Sequence, residues 1–170
     1  MADAQTRAYP LIYTFSDVVT GTGFLARVTV RGRSLVVDEA ADGWWFYGVE
    51  PGGLAECGQT FNEAYLAFRQ AYTEVLLEFA AEAHDWDEFT NALARFAKAV
   101  NEPKADQWRV AVEAIRKGLF VPEAPFDSFK RAVAETKCGY DLERLDIARP
   151  QFTPTDNRVD VYFIPVPQAA

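Results

Sequence analysis

Six carboxylates, Asp17, Asp38, Glu39, Asp42, Glu50 and Glu56, lie between residues 9 and 56. Acids clustered on neighbouring strands can hold Mg²⁺ and cut nucleic acid by a two-metal route, with Asp38 as the residue to test first. Most of the six fall at strand ends or turns, where a solvated carboxylate needs no catalytic role. The only histidine, His84, stands beside Glu82, Asp85 and Asp87. A general base is conceivable there, but its place between two helices favours a linker residue. No G-x-S-x-G elbow, HExxH pair or Walker loop is present, so nucleophilic hydrolase chemistry has no support.

The glycine-rich stretch at residues 50–58, EPGGLAECG, runs into a helix start, where free N–H groups favour anions. It lacks a lysine, carries Glu50 and Glu56, and its helix is already capped, so it reads as a connecting loop. Cys57 has no cationic neighbour in sequence to activate it, and Cys57 and Cys138 offer no zinc spacing.

These residues must be positioned by a sheet and the helices that follow it. Residues 9–15 (YPLIYTF) and 22–32 (TGFLARVTVRG) read as strands from their aromatic and branched content and their alternation. Residues 33–39 and 43–49 flank Asp42-Gly43, a hairpin signal, so an antiparallel sheet of about four strands is expected. At Thr60 the period changes. Thr60 and Glu63 form a capping box in which Glu63 is expected to reach the Thr60 N–H. Phe61, Tyr65, Phe68, Tyr72, Val75 and Phe79 then place one apolar stripe on a long helix lying across the sheet. Asp85 and Glu88 cap a second helix carrying Trp86, Phe89, Leu93, Phe96 and Val100. A third begins near Pro103, carries Trp108, Val112 and Ile115 and ends at Gly118; short connections predict antiparallel helical neighbours. A short helix over residues 126–136 and a last strand over 158–164 complete the α+β reading.

The expected organisation is a tail at residues 1–8, a sheet-plus-helix module at 9–83, and a helical extension at 84–170 that ends in a strand able to return to the first sheet. The charge of -8, from 25 acidic against 17 basic side chains, disfavours a protein that grips phosphate backbones and suits a basic protein partner. The start lacks a signal-peptide core and no apolar run approaches the 18 or so residues of a span, so a soluble, cytoplasmic protein is expected, not a membrane one.

Residues 44–47, WWFY, remain. In a strand Trp44 and Phe46 point one way and Trp45 and Tyr47 the other, so one pair faces the long helix and the other needs a different cover. Neighbouring exposed aromatics are typical of interaction hot spots.

Residues 34–79 resemble the HicB-type antitoxin family. The resemblance rests on the strand SLVVDEA, the DG turn, the aromatic strand WWFYGV, a PGGL element and the helix start ECGQTFNEAYLAF, with Gly58, Gln59, Thr60, Glu63 and Ala64 at the family's G-[DQ]-T-x-x-E-A pattern. It implies a fold similar to a trimmed ribonuclease H without that enzyme's catalytic acids. It also implies a partner, a small basic RNA-cleaving toxin whose active histidine the antitoxin masks. The chain departs from the family in its two N-terminal strands and in a C-terminal half that shows neither a ribbon-helix-helix nor a helix-turn-helix, which puts DNA binding in doubt.

The sequence thus predicts a non-enzymatic protein-binding module without cofactor or metal. Trp45, Tyr47, Glu50 and Glu56 are the residues expected to meet a basic partner. A self-assembling homo-oligomer with the same fold is the first alternative, and a metal-dependent nuclease the second.

Overall fold

The computed structural model describes residues 7–39, 42–129 and 137–147. It is an α+β structure, an antiparallel sheet in the order β1-β2-β3-β4 with a fifth strand on β2. The strands are β1 (Arg7–Gly21), β2 (Phe24–Glu39), β3 (Gly43–Glu50), β4 (Ala55–Gly58) and β5 (Gly139–Arg144); the helices are α1 (Phe61–Glu82), α2 (Trp86–Lys98) and α3 (Glu102–Arg116).

β1 and β2 form one long hairpin, paired without interruption from Arg7↔Asp38 to Gly21↔Phe24. The two strands expected at 22–32 and 33–39 are therefore a single strand. Its second edge is divided end to end, with residues 33–39 paired to β3 and 26–31 to β5. Gly43 opens β3 at φ +84, the left-handed conformation for which the Asp-Gly turn selects glycine. The loop expected at 50–58 contains β4, whose residues pair with residues 44–47 of β3.

α1 begins at the expected cap. The Glu63 N–H donates to Thr60 Oγ1 at 3.2 Å, while the Glu63 carboxylate accepts from the Gln59 N–H at 2.8 Å, one residue before the expected donor. Ala64, Phe68, Tyr72, Leu76 and Ala80 are its buried residues, so Leu76 rather than Val75 enters the core. Against them stand alternate residues of the sheet, Tyr13, Phe15, Phe24, Val28, Val30 and Phe46, joined by Phe89 and Leu93 of α2.

α3 lies elsewhere. α1 and α2 pack together on one face of the sheet, whereas Ala105, Trp108 and Ala111 of α3 pack on the other, over Leu35, Val37 and Val49. α2 and α3 are consecutive but not the antiparallel neighbours their short connection predicts. The crossing is fixed by main-chain bonds, from Gly52 N–H to Ala99 O at 2.9 Å and from Asn101 N–H to Val49 O at 3.0 Å. The PGGL element thus holds the connection between the helices as it passes the sheet.

Of the expected fourth helix, residues 126–129 are described, and Phe126–Ser128 form a single 3-10 turn; residues 130–136 lie outside the described residues, as does the strand expected at 158–164. β5, a strand not among those expected, brings the second half of the chain into the first sheet.

Candidate functional site

The aromatic run divides as the alternation requires. Trp44 and Phe46 join the α1 face, where the Phe46 ring lies 4.9 Å from that of Phe68. Trp45 and Tyr47 stack on each other on the opposite face, with ring centroids 5.7 Å apart and planes 10° apart. The chain itself supplies their cover. Both are half-buried among the α3 contacts, and the Lys104 ammonium sits 3.8 Å from the Tyr47 ring centroid. Trp108 is anchored by its Nε1–H, which donates to Leu11 O at 3.3 Å.

Glu50 belongs to the same face, 3.8 Å from Arg33, whose guanidinium also lies over the Trp108 ring. Cys138 is near this pair, and burial pushes its thiol up from the ordinary value, the opposite of what a nucleophile needs. Glu56 is placed apart. It pairs with Phe46 on β4 and so shares the α1 side, while Trp45, Tyr47 and Glu50 share the other. The four expected contact residues therefore do not form one surface.

The carboxylates of the sheet do not converge either. Among the described residues no three His, Cys, Asp or Glu side chains come together at metal-binding spacing. Asp17, in mid-strand, is not a solvated turn residue. Its Oδ1 accepts from Arg69 at 2.9 Å and from Thr73 at 3.2 Å, and its side chain is only 11% exposed. Asp38 is the penultimate residue of β2, opposite Arg7 and Trp44.

His84 is part of a helix cap. Glu88 Oε2 accepts from the His84 backbone N–H and lies 2.9 Å from its Nδ1, while the Glu88 N–H donates to Asp85 Oδ1. The Glu88 carboxylate raises the imidazole pKa, and the His84 bonds hold Glu88 below its ordinary value. The sign follows directly: protonated His84 favours the fold below about pH 6.5 and loses that effect as pH rises through its raised folded value. An NMR titration is expected to place His84 above about 6.5, and Glu88→Gln to return it there. An unchanged midpoint in that variant would remove Glu88 as the cause.

One surface combines exposed apolar side chains with charge of a single sign. On the outer side of α1, Leu66 is 63% and Leu77 47% exposed, too wet for core residues. Glu63, Glu74, Glu78 and Glu82 are exposed around them. Gln70 donates to Glu74 at 2.8 Å, and the last turn carries no basic residue to balance the helix dipole. Arg69, the one cation along α1, is already taken by Asp17. Exposed Asp85 and Asp87 continue the acidic surface into α2. In the sequence the signal for this face is the two leucines, Leu66 and Leu77, that lie off the buried stripe of α1.

No family model matches the chain, and no curated protein or solved structure matches it.

Proposed function

We propose that this chain is a non-enzymatic binding module that holds a basic protein against the outer face of α1, in the manner of the HicB-type antitoxins that residues 34–79 resemble. The observation that carries this reading is the pair of exposed leucines, Leu66 and Leu77, set among Glu63, Glu74, Glu78 and Glu82. Apolar anchors give such a surface its affinity, while the acids steer a cationic partner and select against anionic ones. The net charge of -8 acts in the same sense. A small basic RNA-cleaving toxin is the partner that the resemblance implies.

The test is affinity capture from the source lysate with the wild-type chain and with a Leu66→Arg, Leu77→Arg double variant of equal melting temperature. Wild type is expected to retain a basic protein and the variant to lose it. Equal retention by both would refute the assignment of this face.

A second reading is self-assembly, favoured by Val110, Leu119 and Val121, which are all exposed around the end of α3. Light scattering decides it: a mass that grows with concentration and falls on Val110→Glu, with no foreign protein retained, would favour the homo-oligomer.

A further inference from the structure

A cavity of about 320 Å³ opens between the sheet and the N-terminal half of α1, beside the outer edge of β1. Small-molecule sites occupy roughly 300 to 1,000 Å³, so this space is at the lower end of that range. Its origin is in the sequence. The α1 side of the sheet carries Ser34 on β2 where a branched residue would otherwise fill the layer. The walls are rings, from Phe15, Phe46, Phe61, Tyr65 and Phe129. Phe129, 44% exposed, is the most open of them.

Two features give the cavity a chemical preference. Among the described residues no charged side chain lines it. Ser34, fully buried, is among its lining residues, and its hydroxyl has no hydrogen-bond partner among the described residues; the hydroxyl of Tyr13, another lining residue, has none either. Burial pushes the Tyr13 phenol up, so it stays neutral. A buried hydroxyl without a partner costs stability, and a polar group on a ligand would remove that cost. From the cavity, its rings and the unpartnered Ser34 hydroxyl, we infer that the chain binds a small, neutral, planar aromatic molecule bearing one hydrogen-bonding group, with that group on Ser34. This site is separate from the outer face of α1 and does not depend on the function proposed for that face.

The probe is 2-naphthol, two fused rings with a single hydroxyl. Its titration against the full chain, followed by ligand fluorescence and NMR, is expected to saturate, with intermolecular NOEs to the rings of Phe61 and Tyr65. Ser34→Ala is expected to weaken binding about five- to tenfold, the effect of one hydrogen bond, while leaving the melting temperature of the free chain unchanged or higher. Ser34→Leu, which fills the space, is expected to abolish binding. Failure of 2-naphthol to saturate the wild type would overturn the inference. So would equal affinity for the wild type and Ser34→Leu. Should Ser34→Leu not fold, the wild-type NOEs decide: contacts away from Phe61 and Tyr65 would place the ligand elsewhere and overturn the site.

Discussion

Phe68→Ala is expected to lower the stability of this chain by about 3–5 kcal/mol, the range for deleting a fully buried aromatic side chain. Phe68 is wholly buried on α1, with ring centroids 5.6 Å from Tyr13, 6.3 Å from Phe15 and 4.9 Å from Phe46. Those three rings belong to two strands, so one truncation loosens the hold of α1 on both β1 and β3. Part of the loss is transfer free energy and part is the cavity left among rigid neighbours. Phe68→Leu keeps the site apolar and most of its volume, and is expected to cost less than half as much. Denaturant unfolding with an unchanged slope measures both. A loss below about 1 kcal/mol for the alanine variant would mean that the core is not centred on Phe68.

Asp17→Ala is expected to cost about 2–3 kcal/mol, from the loss of a largely buried charge pair and its hydrogen bonds. The change leaves Arg69, only 27% exposed, over the Phe15 ring without its carboxylate, and leaves the Thr73 hydroxyl with Arg69 O as its acceptor. Breaking one side of a buried pair costs more than the pair contributes, because the remaining charge stays partly desolvated. The Arg69→Met, Asp17→Leu double variant is the informative control. If it recovers most of the loss seen in Asp17→Ala, the charges act as a pair; if it is destabilised as much or more, Asp17 acts on its own.

The strands and caps were legible because they depend on local chemistry. Alternation, the Asp-Gly turn and the Thr60 and Asp85 caps all act within a few residues of themselves. Gly32 misled the reading. It resembles a strand end, yet in the structure it lies within β2 opposite Tyr13, where an added Cβ would overlap the Tyr13 hydroxyl and approach Glu50 O. A glycine needed for close approach has the same sequence appearance as one needed for a turn. α3 was legible as a helix, but its attachment was not. Its packed residues are Ala105, Trp108 and Ala111, and two alanines give no apolar stripe that points to a face. The same limit applied to Trp45 and Tyr47. Strand alternation showed that they share a face, whereas their cover comes from a helix about sixty residues later, whose route depends on Gly52 and Asn101.

The measurement that bears most directly on the proposed role is a calorimetric titration of the retained basic protein against three forms of the chain: wild type, Leu77→Arg and Trp45→Ala. Each must first show a cooperative melt. Binding through the outer face of α1 predicts that Leu77→Arg weakens affinity by roughly 30-fold or more, the effect of losing one interfacial anchor of about 2 kcal/mol. It also predicts that Trp45→Ala, under α3 on the opposite side of the sheet, stays within about threefold of wild type. The reverse pattern, with Leu77→Arg unaffected and Trp45→Ala impaired, would contradict the account and return the binding surface to the aromatic strand.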